Sequence, residues 1–160
     1  MRKIILATVS ALAVSACSSI DCPVQNSVYT SYKLLKSDGQ ADTLADTLTI
    51  LTKRADGTDS VVFNRGVSLL KFDLPISYTN AEDTFVFHRK STTAEAYDTV
   101  RIQKDNYAHF ESVDCQIAYF HTITGVSTTG HFIDSITVNK STVDYDTSTE
   151  HFHLYFKRSL

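Results

Sequence analysis

A chain of 160 residues, 42% hydrophobic, is long enough to bury a sizeable core as one domain. Its formal net charge of −3 is not the basic footprint of a nucleic-acid binder, and it excludes attraction to anionic lipid by charge. With 3 cysteines and no tryptophan, neither a thiol-ligand metal domain nor a tryptophan-based sugar platform is expected.

The chain opens with Met1-Arg2-Lys3, an apolar run from Ile4 to Ala16, and then Val14-Ser15-Ala16-Cys17 across the end of that run. A positive start, a short apolar middle and small residues before a cysteine are the marks of a lipoprotein signal. The run holds 13 residues, whereas a membrane-spanning helix needs about 20. Residues 1–16 therefore read as a signal peptide, and Cys17 as the lipidated first residue of the mature chain, carrying fatty acyl chains such as palmitate. Loss of Arg2 and Lys3 with the signal leaves 144 residues and a charge of −5. Attachment then rests on the acyl chains, each buried methylene adding about 0.8 kcal/mol.

Residues 17–27 read as a lipidated N-terminal segment and 28–160 as the folded domain. Cys22 and Cys115 are an even pair in a compartment that permits disulfides. Each follows an aspartate, Asp21 and Asp114, whose charge disfavours a reactive thiolate. A structural Cys22–Cys115 bridge is the preferred reading over two free thiols. Because Cys22 lies five positions after Cys17, the tether spans at most about 17 Å. Such a bridge would hold the domain against its membrane.

From Val28 onward the pattern is β. Val28, Thr30, Tyr32 and Leu34 share one face of a strand that ends before Asp38-Gly39. Leu48 to Thr52 and Ser60 to Phe63 flank Asp56-Gly57, a strong hairpin signal. Leu70, Phe72 and Leu74 share a face before Pro75, which stops the ladder. Thr84 to His88 places Phe85 and Phe87 together, and Thr99 to Gln103 does the same for Val100 and Ile102. Tyr107 to Val113 and Gln116 to Thr124 read as separate strands flanking Asp114-Cys115, followed by Ser135 to Asn139 and a polar connection from Ser141 to Thr149. In the closing strand Phe152, Leu154 and Phe156 face the core, while His151, His153, Tyr155 and Lys157 face water. Roughly nine short strands with abundant Thr and aromatic residues predict a single antiparallel β-sandwich, immunoglobulin-like or related. A small β-barrel is the alternative.

His151-x-His153 is the best metal candidate, since strand residues two apart lie about 7 Å apart on one side. His88, His109, His121 or Glu111 would supply a third ligand, and solvated strand residues are the competing reading. Asp144-x-Asp146-x-Ser148-x-Glu150 resembles a calcium loop in its oxygen spacing. It lacks the mid-loop glycine and has Tyr155 at the twelfth position, so it reads as a polar turn. Cys115 and His121 are six residues apart, about 20 Å along a strand, too far for a thiol and its base. No phosphate loop, Gly-x-Ser-x-Gly or His-Glu-x-x-His is present. Tyr29, Tyr97, Tyr107 and Tyr155 remain as sugar-stacking candidates or as cross-strand packing.

His109-Phe110-Glu111-Ser112-Val113-Asp114-Cys115, Tyr119-Phe120-His121-Thr122, Thr129 to Ile136 and Glu150 to Phe156 together resemble DUF6452, small lipoproteins of unknown function in Bacteroides-type Gram-negative bacteria. Weaker similarity reaches upstream through Leu70 to Pro75 and Asp83 to Phe87. Family members often have glycine where this chain has Gln116. The resemblance implies a lipid-anchored β-domain and brings no catalytic residue. In such bacteria an acidic run after the lipidated cysteine marks export to the cell surface, and Ser18-Ser19-Ile20-Asp21 holds one acid. The expectation is an outer-membrane, periplasm-facing lipoprotein, with the cell surface as alternative. Its role would be non-enzymatic and cofactor-free, accessory to an envelope protein partner met at an exposed strand edge. The rival is a ligand-binding module for a glycan or a metal ion.

Overall fold

A computed structural model describes Cys22 and residues 27–158. No helix is present among the described residues, and ten strands form two sheets. The four-stranded sheet has the order β4 (Lys71–Pro75), β1 (Tyr29–Leu35), β10 (Phe152–Phe156), β8 (Ile133–Val138). The six-stranded sheet runs β3 (Asp59–Gly66), β2 (Thr47–Lys53), β5 (Glu82–Lys90), β6 (Glu95–His109), β7 (Ala118–Thr128), β9 (Thr142–Val143). Neither closes into a barrel, and the fold is an all-β sandwich.

Alternation builds the core. Val28, Thr30, Tyr32 and Leu34 are buried, as are Phe85 with Phe87, Val100 with Ile102, and Phe152 with Leu154. Tyr32 stands at the centre, its ring stacked between those of Phe72 and Phe152, each 4.9 Å away. All three are register partners on adjacent strands, so the sheet's pairing and its aromatic stack are one arrangement. Phe87 meets Tyr32 edge-on at 6.4 Å from the opposite sheet. The Asp56-Gly57 turn forms as expected: Gly57 takes a φ of +82° and its N–H donates to the Arg54 carbonyl.

Four expectations change. The pairing of β1 with β10 is parallel, a sense open to two strands from opposite ends of the chain because no tight turn joins them. Thr99 to Gln103 and Tyr107 to Val113 are not two strands, since β6 runs unbroken from Glu95 to His109 and then stops. The polar stretch Lys104-Asp105-Asn106 keeps the alternation, with Lys104 buried and Asp105 exposed. Leu70 is 54% exposed and precedes β4, while Leu69 bridges to Leu44. The Ser141 to Thr149 connection contains β9, whose Val143 is fully buried.

The chain passes between sheets at β1–β2, β3–β4, β4–β5, β7–β8, β8–β9 and β9–β10. A crossing exposes backbone N–H and C=O groups inside the sandwich unless they find partners. At β7–β8 the partner is Asp98, whose side chain is fully buried. One oxygen accepts from Thr129 Oγ1 (2.6 Å) and the His131 N–H (2.7 Å). The other accepts from the N–H groups of Phe132 (2.8 Å) and Ile133 (2.7 Å). Burial pushes the carboxyl's pKa up, but these donors outweigh it and hold the pKa below the ordinary value.

Asp98→Asn keeps one acceptor oxygen and turns an NH₂ toward backbone donors. The variant is expected to lose about 3 kcal/mol in urea denaturation, against about 1 kcal/mol for Thr129→Ala. With a folded pKa below the unfolded one, Asp98 stabilises fully above about pH 4, and that contribution is lost as pH falls through the folded pKa. Asp98→Asn should therefore flatten the acid limb of the stability curve.

Candidate functional site

The long β6 strand pairs with β5 only as far as Gln103. Its remaining residues, Lys104 to His109, continue with β7 alone as partner and end in the loop formed by residues 110–117. At this end Cys115 is bonded to Cys22, with Cα atoms 5.5 Å apart. The bridge spans 93 positions, and in the chain-entropy argument a loop of that length contributes about 4–5 kcal/mol. Cys17 lies outside the described residues.

Where β6 passes beyond its pairing with β5, a buried polar network joins it to the 77–83 connection and to β7, and sequence reasoning missed it. Lys104 donates to the Ser77 and Asn80 carbonyls and to Asn106 Oδ1 (2.9 Å), with Asp83 at 3.5 Å. Asp83 in turn accepts from the Ser77 N–H (3.0 Å). Burial opposes both charges. It raises the Asp83 pKa against the Ser77 N–H and Lys104, and lowers that of Lys104 against Asp83. Asn106 Nδ2 donates to the Asn80 carbonyl (2.9 Å), which fixes the amide's orientation. The buried His121 ring must then donate from Nδ1 to Asn106 Oδ1, 2.6 Å away. Burial first, and the Lys104 charge second, push the His121 pKa down to about 4. The one available signal was phase: Asp98, Val100, Ile102 and Lys104 occupy every second position of β6, so a residue in step with the core is buried whatever its charge.

The histidine pair does not form as expected. His151 is fully buried rather than solvated, and β10 begins one residue after it. Its Nδ1 accepts the Ser31 N–H at 3.0 Å, so that lone pair is already occupied. Nε2 then carries the proton, and it is buried without a hydrogen-bond partner. Burial, reinforced by Lys140, lowers the ring's pKa. The Thr142 carbonyl, too poorly placed for a normal hydrogen bond, and Asp144 and Asp73 pull the other way. His153 is half-buried within β10. His88 stacks on Tyr97 (4.3 Å) and meets Glu95, while His109 stacks on Phe120 (4.1 Å) and meets Glu111. Among the described residues no group of three His, Cys, Asp or Glu side chains is placed to hold a metal ion.

The 144–150 segment is a polar turn. Asp144 accepts the Asp146 N–H and Asp146 the Ser148 N–H, and Lys140 reaches Asp146 at 2.8 Å and Asp144 at 3.6 Å. The sugar-stacking candidates are spread out: Tyr97 lies against His88, Tyr107 edge-on to Phe120, and Tyr155 beside a shallow groove with Leu35, Lys36 and Asp42.

The profile of DUF6452, a family of unknown function, matches residues 47–156, and a prokaryotic membrane lipoprotein lipid attachment site matches residues 1–18. No curated protein and no solved structure matches the chain.

His121 sets a pH dependence. In the unfolded chain its pKa is about 6.5, and in the fold about 4, so between these values the unfolded state binds the extra proton. The stability it confers is complete above about pH 6.5 and falls by roughly 3 kcal/mol as the pH drops toward 4. Urea midpoints taken across that range should show the slope, and His121→Gln should reduce it. A residual slope is expected from His151, whose pKa is also depressed.

Proposed function

The chain belongs to the DUF6452 family and carries a lipoprotein lipid attachment site, and from that premise we propose a non-catalytic accessory protein anchored by lipid in the cell envelope. The anchor is the acylated Cys17, the membrane is the outer membrane, and the domain stands on its periplasmic side. A short tether and a mildly acidic domain support work at close range on an envelope protein rather than capture of distant material.

The observation that carries this reading is the Cys22–Cys115 bond. It brings the folded domain to within five residues of the lipidated position. A second support is the placement of the buried charges. Asp98 serves the 129–133 crossing, Lys104 the 77–80 connection, and Arg89 joins Asp46 (2.7 Å) to the Lys157 carbonyl (3.2 Å). These groups hold backbone in place, as a binding scaffold needs. The partner is met at a sheet edge. β3 is interrupted by register shifts against β2, and β4 ends in Pro75, both devices that blunt an edge. β8, at the end of the four-stranded sheet, pairs with β10 without a shift from Ser135 to Val138 and shifts only between Tyr155 and Phe156, so its Val138 end is the edge best suited to strand addition.

Crosslinking in intact cells from a photoreactive residue in place of Val138 on β8, followed by pull-down, tests this. The expected result is one envelope protein recovered with the acylated chain, absent from Cys17→Ala and from a photoreactive residue in place of Tyr97. Equal recovery from both positions, or recovery of no protein, would overturn the accessory role.

A further inference from the structure

The β6–β7 loop exposes three large hydrophobic side chains and contains the cysteine bonded to Cys22. Val113 is 98% exposed, Phe110 65% and Ile117 43%, at successive spacings of three and four positions along eight residues that also contain Cys115. Exposed single hydrophobes need no explanation, but a run of them on one loop tip does. Water is a poor environment for these side chains, and Phe110 and Val113 are not folded back onto the core.

Two constraints say what covers them. Cys22 is bonded to Cys115 inside this loop. Five positions separate Cys22 from the lipidated Cys17, a span of at most about 17 Å, shorter than the hydrocarbon core of a bilayer at about 30 Å. The acyl chains of Cys17 lie in the membrane, so the loop lies at the membrane's surface. We propose that the 110–117 loop is a second membrane contact, with Phe110, Val113 and Ile117 inserted into the interface of the bilayer that holds the acyl chains. The proposal rests on the lipid-anchor reading and goes beyond it: the domain stands end-on, with β6 roughly upright, rather than swinging on a string.

Charge selects the kind of surface. The loop carries Glu111 and Asp114 and no Lys or Arg, and Glu111 is held by His109 at 2.9 Å. Insertion is therefore driven by apolar burial, and a zwitterionic surface suits it better than an anionic one. Tyr78, 61% exposed, stacks on Tyr119 at 5.1 Å near the base of the loop, at the level where amphipathic rings favour the headgroup region.

The chain has no tryptophan, so one introduced indole reports cleanly. Acylated Val113→Trp, and independently acylated Phe110→Trp, are mixed with phosphatidylcholine vesicles, with flotation measured beside fluorescence. The expected result is flotation, a blue shift of the emission and quenching by lipids brominated on their acyl chains. Acylated Tyr97→Trp, at the opposite end of β6, should float equally but stay unshifted and unquenched. Replacing part of the phosphatidylcholine by phosphatidylglycerol should weaken the blue shift. Cys22→Ser/Cys115→Ser in the Val113→Trp background should lose the shift while still floating. Flotation with an aqueous indole at both loop positions would overturn the loop insertion alone. Failure to float would overturn the lipid anchor and the insertion together.

Discussion

A chain that passes repeatedly between the two layers of a sandwich has to find partners for the backbone it carries across, and this requirement organises the molecule. The solution is a charged side chain at each demanding crossing. Asp98 receives three consecutive backbone N–H groups from His131 to Ile133. Lys104 donates to the carbonyls of Ser77 and Asn80. Lys140 bridges to the turn ahead of β10 through Asp144 and Asp146. Arg89 gathers the approach to β2 and the end of β10, lying over the rings of Phe132 and Phe156. Asp98 and Lys104 do this with fully buried side chains, so removing either leaves donors or acceptors stranded in a dry interior.

That arrangement explains why the apolar core can be simple. The stack of Phe72, Tyr32 and Phe152 fixes the register of three strands, and the polar clamps fix which loops leave which strand. Hydrophobic burial supplies the bulk of the driving force, and the clamps supply uniqueness. The disulfide adds a third kind of constraint, acting on Cys22, which lies outside both sheets.

Much of this was legible in the sequence where a rule acts over a few residues. Period-two alternation gave the faces of β1, β5 and β10, the Asp-Gly dipeptide gave the β2–β3 turn, and cysteine parity gave the bridge. What escaped depends on residues far apart. A lysine between Gln103 and Asp105 looks like a break until two carbonyls from another connection are brought to it. His151 looks solvated until Ser31, 120 positions away, donates to its ring. Leu70 looks buried until Leu69 takes the bridge to Leu44. Nothing local distinguishes the parallel pairing of β1 and β10 from an antiparallel one.

That last pairing has a consequence for timing. β1 is among the first segments of the domain to be made, and β10 is the last strand. Tyr32 has its full stack only when Phe152 arrives. Long-range pairings of this sort come late because the intervening chain must first be brought together. A chain still on the ribosome therefore lacks the strand that completes the four-stranded sheet between β1 and β8. Strand order thus sets a clock: the stack around Tyr32 shuts only when Phe152 has been made.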